Sequence, residues 1–188
     1  VSRDLDSIQS LRTDRLLLER MRPEDADDMI AMQQDDRFVE AFGHRSTPEH
    51  VRGFVSRSVE LWERLGYGLW TVRDQETGAF VGRGGIQPVS IDGVEEVELG
   101  YAFLPEWWGR GLATEMSRTA LEVGFERLEL PDIVAFTMPT NLRSRHVMEK
   151  LRFTFERQFV WVGKPHVLYR LTRNDYASET SSSSSSSQ

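Results

Sequence analysis

Trp107-Trp108-Gly109-Arg110-Gly111-Leu112-Ala113 decides the reading of this chain, because a strand-like segment precedes it and an amphipathic helix follows. The strand runs from Val94 to Leu104 and the helix from Leu112 to Leu128. A glycine-rich turn between such elements leaves several backbone N–H groups unpaired and pointing one way, at the positive end of the helix dipole. That is an anion site, and phosphate is its usual occupant. An ordinary strand-to-helix turn is the plain reading of Gly109-Arg110-Gly111 taken alone. A dinucleotide-binding loop needs a third glycine and a place at the start of the domain, and this turn has neither. Gly82-Arg83-Gly84-Gly85 has the wrong spacing and reads as a strand bulge.

Working outward, Val97, Leu99, Tyr101 and Phe103 alternate with Glu96, Glu98, Gly100 and Ala102, which gives the strand one apolar face. Tyr67 to Asp74 and Ala79 to Val89 form a hairpin around Gln75-Glu76-Thr77-Gly78, and with the third strand they make an antiparallel meander. Arg15 to Arg20 is an earlier strand. Pro23-Glu24-Asp25 opens a helix, and Thr47-Pro48-Glu49 opens another that ends near Leu65. After the glycine turn, Leu112, Met116, Ala120 and Val123 line one side of a helix leading to a strand at Ile133 to Met138, so that crossover is parallel. Asn141 to Leu151 is a short helix, and Thr154 to Val162 and His166 to Thr172 are the last strands. The serine-rich tail, residues 177–188, cannot bury apolar area and is expected to be disordered. Residues 1–10 read as an N-terminal extension and 11–176 as one domain.

With 188 residues, 39% hydrophobic and 28% charged, the chain has enough material for one sizeable core. No apolar run approaches the roughly 20 residues of a membrane span, and the first residues lack a signal-peptide core, so a cytoplasmic protein with no membrane partner is expected. The absence of cysteine removes thiolate metal sites and a cysteine nucleophile. His44, His50, His146 and His166 show no ligand spacing, so no metal is expected. A net charge of -7 disfavours nucleic acid and favours approach of a cationic partner.

Three stretches carry a family resemblance: Leu11 to Leu18; Glu98-Leu99-Gly100-Tyr101 through Trp108-Gly109-Arg110-Gly111-Leu112-Ala113-Thr114-Glu115; and Asn141-Leu142-Arg143-Ser144 through Glu149-Lys150-Leu151-Arg152-Phe153. In this order they resemble the GCN5-related N-acetyltransferase (GNAT) superfamily, in its RimJ/RimL-like branch. The resemblance implies an α/β fold with a mixed, mostly antiparallel, centrally splayed sheet and flanking helices. It also implies acetyl-coenzyme A as co-substrate and a primary amine as acceptor, either a protein N-terminus or a small amine; a homodimer is compatible with it. The donor's pyrophosphate would lie on Gly109, Arg110, Gly111, Leu112 and Ala113, flanked by Trp108, Thr114 and Lys150. Its pantetheine arm would pair with the backbone of Tyr101, Ala102, Phe103 and Leu104 and meet Asn141 and Ser144.

The chain departs from the family pattern at three places. Glu106 stands where a glutamine or arginine is usual, Met148 where many members carry a tyrosine acid, and Arg152 where glycine is usual. Ser144 is the nearest substitute acid, although a serine at a helix start more often bonds backbone. A thiol titrates near ~8.5, so a thiolate leaves tolerably without help, whereas an amine near ~10 must lose a proton before it attacks. Glu98 and Glu96 are the candidate bases. An ion pair with one of the many arginines is the competing role for each. Trp62, Tyr67, Trp70 and Trp161 either wall an acceptor pocket or fill the core. A catalytically silent acyl-coenzyme A sensor is the rival to transfer by direct attack in a ternary complex.

Overall fold

Alternation along Val94–Phe103 organises the sheet: Leu99 and Phe103 are buried on one face, while Ala102 is buried on the other. The computed structural model describes residues 6–184. Its strands are β1 (Ser10–Arg12), β2 (Leu16–Arg20), β3 (Leu69–Asp74), β4 (Phe80–Ile91), β5 (Val94–Phe103), β6 (Asp132–Thr137), β7 (Thr154–Trp161) and β8 (Lys164–Thr172). They form one sheet in the order β1-β2-β3-β4-β5-β6-β8-β7, antiparallel except between β5 and β6. The architecture is therefore the mixed, mostly antiparallel α/β fold expected from the sequence.

Helices α1 (Ala26–Met32), α2 (Asp36–Phe42) and α3 (Pro48–Leu65) cover one face, where Met29, Val51, Val55 and Leu69 pack together and Met32 and Phe38 pack on Ala102. Helices α4 (Leu112–Glu122) and α5 (Leu142–Lys150) cover the other, burying Met116, Ala120 and Met148 against Ile86, Leu99 and Phe103. Thr47 starts α3 by accepting from the His50 N–H, and Gly66 ends it at φ 73°, as a Thr-Pro start and a glycine stop dictate. The helix after the glycine turn is shorter than its periodicity suggests. Beyond Glu122 it widens into a five-residue π turn, Val123–Arg127, where Gly124 passes so close to Ile133 of β6 that a Cβ would sit 2.6 Å away.

Two elements had no clear sequence signal. The strand β1 is three residues long, too short to show alternation. Helix α2 depends on Asp35 accepting from the Arg37 N–H and on Phe38 stacking on Phe42 with centroids 4.3 Å apart. Of residues 6–10, read from sequence as part of an extension, Asp6–Ile8 form a 3-10 turn and Ser10 opens β1: Ile8 is buried, its carbonyl accepts from the Trp70 indole, and the Gln9 carbonyl accepts from the Arg20 N–H. The C-terminal helix α6 (Arg173–Ser184) also differs from the disordered tail expected there. Thr172 caps it by accepting from the Asp175 N–H, and Tyr176 stacks on Phe125. Residues 1–5 and 185–188 lie outside the described residues. Among the described residues no helix is long and apolar enough to cross a membrane.

Candidate active site

At the centre of the sheet β5 and β6 share a single register pair, Glu98 with Val134. Past that point the two parallel strands separate, although β5 stays fully paired with β4 as far as Phe103 opposite Gly82. Ladder directions alternate along a strand, so the groups of Ala102 face β4, and those of Tyr101 and Phe103 face the gap. The Leu104 N–H is bonded to the Val81 carbonyl, and the Phe103 carbonyl accepts from the Trp108 indole at 2.8 Å. The four-residue backbone set expected from sequence thus reduces to both groups of Tyr101 and the N–H of Phe103. Ala102 is spent on β4, and Leu104 on the Val81 carbonyl and the Trp107 N–H.

The glycine turn lies at the mouth of this gap. Gly109 and Gly111 have φ of 73° and 77°, a left-handed conformation that favours glycine before any ligand is considered. A Cβ on Gly109 would meet nothing within 4 Å, so the outer side of the turn is open. Gly111 begins α4 with no side-chain cap. The first N–H groups of that helix, from Leu112, Ala113 and the buried Thr114, therefore have no intrahelical acceptor. Glu106 is exposed, and its charge acts on Arg37. Arg110 stacks over Trp107 at 4.9 Å and Arg143 over Trp108 at 5.0 Å.

A clasp that sequence reading missed holds the turn in place. Glu115, on the first turn of α4, accepts from the Thr13 hydroxyl at 2.5 Å, the Arg15 N–H at 2.9 Å and Arg15 Nε at 2.7 Å. Arg15 also donates through Nη1 to the Arg110 carbonyl inside the turn at 2.9 Å. Burial acts to raise the Glu115 carboxyl, but the bonds from Thr13 and Arg15 outweigh it and hold the group below its ordinary value. This contact explains why a Thr-Asp-Arg segment near the N-terminus accompanies a glutamate just past the glycine turn.

On the α5 side, Asn141 caps its own helix by accepting from the Ser144 N–H at 3.2 Å, which leaves its amide NH2 as a donor. The Ser144 hydroxyl lies 3.0 Å from the Tyr101 hydroxyl. Burial pushes the Tyr101 phenol up to about 12, with the Ser144 bond pulling the other way. Sequence reading used Tyr101 for its backbone alone; its place on the α4 face of an alternating strand was the signal for the side chain. Met148 is 1% exposed in the core, so α5 does not present that position to the gap. Arg152 occupies its usual glycine position at φ 63°. Lys150 is exposed at the far end of α5, about 9 Å along the axis from Ser144, and is not brought to the glycine turn.

The two candidate bases separate. Glu96 is clamped by Arg170 at 2.7 and 3.0 Å, in a cluster with Asp132 and Glu156. That is the ion-pair role, with both Glu96 oxygens accepting from the guanidinium. Glu98 has one neutral partner, the Gln87 amide at 3.3 Å. Burial pushes its carboxyl above the ordinary range, against the Gln87 bond and the charge of Arg83. Of the aromatics, Trp62 and Trp70 are core, 2% and 1% exposed, and Trp161 packs on Phe136 and Phe159. Tyr67 is half-buried at the edge of the core.

A family model described as an acetyltransferase (GNAT) domain matches residues 15–154. YkkB of Bacillus subtilis (strain 168) is 29% identical over 160 residues, 85% of this chain and 93% of that protein. The solved structure of a GNAT-family acetyltransferase from Bordetella pertussis superposes with a TM-score of 0.76 at 26% identity, covering 86% of this chain and 98% of that one. RimL, a ribosomal alpha-N-protein acetyltransferase solved with coenzyme A, shares the fold at a TM-score of 0.68 and 16% identity, over 88% of this chain and 99% of that one.

Proposed function

This chain belongs to the acetyltransferase (GNAT) family, and on that premise we propose that it moves acetyl from acetyl-coenzyme A to a primary amine by direct attack in a ternary complex. One observation carries the reading. An uncapped, glycine-led helix start opens onto the separated edges of β5 and β6, which gives a continuous path from an anion site to unpaired backbone. The pyrophosphate fits the N–H groups of Gly109 to Thr114, with Arg110 beside it. The pantetheine amides fit the free groups of Tyr101 and Phe103 and the Asn141 amide. The reacting carbonyl then lies in the gap, where a strand N–H serves as oxyanion donor.

The acceptor arrives from the α1–α3 side, where Glu98 takes its proton directly or through water. A carboxyl held above its ordinary range by burial is the better base for this task. The amine nitrogen bonds to the acetyl carbon, the C–S bond breaks, and the thiolate leaves toward the Tyr101 and Ser144 hydroxyls. A phenol near 12 would give its proton to a thiolate of conjugate acid ~8.5 at an uphill cost of roughly 5 kcal/mol. Tyr101 therefore donates a hydrogen bond, and solvent completes protonation. The silent-sensor reading drew its slight support from Met148 and Arg152; the Tyr101 hydroxyl beside Ser144 offers the group that Met148 lacks, which supports transfer.

The test is thiol release from acetyl-coenzyme A with a panel of amines, with products identified by mass spectrometry. Amine-dependent release with an N-acetyl product is expected. Tight coenzyme A binding without release from any amine would establish the sensor instead.

A further inference from the structure

The face of β4 and β5 turned toward α3 carries Arg83, Gly85 and Gln87 opposite Ala102, Gly100 and Glu98. Two glycines thus leave a bare floor between a guanidinium and a carboxylate. Glu98 lies back along its strand over that floor, since a Cβ on Gly100 would be 3.3 Å from its Oε1. Arg83 is pinned from the other side by Phe54 of α3, with the guanidinium 4.5 Å from the ring centroid. Each charge acts on the other through the protein, yet the two form no ion pair, and Arg83 has no hydrogen-bond acceptor among the described residues. Both side chains keep part of their surface open to solvent.

A guanidinium has five donors and keeps its charge at neutral pH. Leaving it largely desolvated without an acceptor costs free energy that a bound anion would return. Burial accordingly lowers the pKa of Arg83, with Glu98 alone opposing. The Cα atoms of Ala102 and Glu98 are about 13 Å apart along β5. An α-amino acid adds about 3 Å between nitrogen and carboxylate oxygen to two hydrogen bonds of about 2.9 Å, a span of about 9 Å that fits within that separation.

We propose that the acceptor is a small amino-acid-like zwitterion, its amine at Glu98 and its carboxylate held by Arg83 over Gly85 and Gly100. This rests on the transfer reading above and narrows its acceptor to one class. A protein N-terminus or a polyamine offers no carboxylate at that distance and leaves Arg83 unpaired.

The experiment measures thiol release with glycine, alanine, leucine, phenylalanine, methionine, glutamate and lysine, each beside its primary amide, together with spermidine and an alanine-led peptide. The parent is expected to use at least one free amino acid with kcat/KM tenfold or more above its amide. Arg83→Gln should bring that ratio near one while leaving affinity for coenzyme A within twofold. Arg83→Lys should restore part of the preference. Equal use of acids and amides by the parent, a preference for spermidine or the peptide, or equal loss on every acceptor in Arg83→Gln would overturn the assignment while transfer itself stands. Absence of release from every amine counts against the transfer reading and removes both.

Discussion

Arg15→Ala tests whether the clasp, and not the glycines alone, shapes the anion site. The substitution removes the paired bonds to Glu115 and the bond to the Arg110 carbonyl, and leaves every residue of the turn in place. The Arg15 side chain is 51% exposed and Glu115 16%, so solvent screens the pair and its worth is at most about 1 kcal/mol. The bond into the turn adds about 1 kcal/mol. A loss of about 1–2 kcal/mol should lower the melting temperature by roughly 2–8 °C in a chain of this size. The greater effect falls on binding, because a turn released in the free protein must be reordered by the ligand, and 1.4 kcal/mol is a tenfold change in Kd. Calorimetric titration with coenzyme A at two salt concentrations, beside Arg15→Lys, reads this directly. Lysine restores the charge without the fork, so near-parental affinity in that variant would assign the effect to charge near the phosphates. Unchanged affinity and melting in Arg15→Ala would refute the clasp. Glu115 adds a pH signature: its folded pKa is depressed, so its stabilisation is complete above about pH 4.3 and is lost as pH falls through the lower folded value.

Gly111→Asp places an acid beside the open helix start and should weaken coenzyme A by tenfold or more; aspartate enters the left-handed backbone at about 1 kcal/mol, so melting should fall by a few degrees without loss of the fold, and equal affinity would dismiss the anion site. Glu98→Gln should remove the acidic limb of kcat/KM, which in the parent reports a carboxyl raised above its ordinary range, and leave the amine's own ionisation in control; an unchanged pH profile would move the base elsewhere. Met148→Tyr adds volume to a filled core and should cost about 1–3 kcal/mol of stability with no gain in turnover, while Ser144→Ala should cost about tenfold in rate at neutral pH. A thousandfold loss in Ser144→Ala would establish an indispensable acid there.

The fold was legible because its signals were local and periodic. Two-residue alternation in β5, glycines at the turn, and Thr-Pro and Asn helix starts each specify a backbone without tertiary help. What stayed hidden depends on partners distant in sequence. The Thr13–Glu115 bond spans 102 positions, and the choice between Glu96 and Glu98 turned on Arg170, which arrives from β8. Alternation puts both glutamates on one face and cannot tell them apart. The expectation that all four residues from Tyr101 to Leu104 offer free backbone groups failed for a similar reason. Which N–H groups of β5 are free depends on the register with β4 and on an indole five residues away in sequence.

That alternation also determines which reactant each side chain of β5 serves. Tyr101 and Phe103 belong to the α4 face, where the anion site and Ser144 lie; Glu98, Gly100 and Ala102 belong to the α1–α3 face. Two substrates held on opposite faces of a closed sheet could not touch. Contact needs the opening past Glu98, and there β5 still has β4 to hold its shape. A one-residue slip of β5 would send Glu98 to the donor side and bury the phenol among α1–α3. The ten paired positions from Val94 to Phe103 against β4 therefore do more than stabilise the sheet. In the proposed reaction they would put the hydroxyl on the side of the leaving sulfur and the carboxylate on the side of the incoming amine.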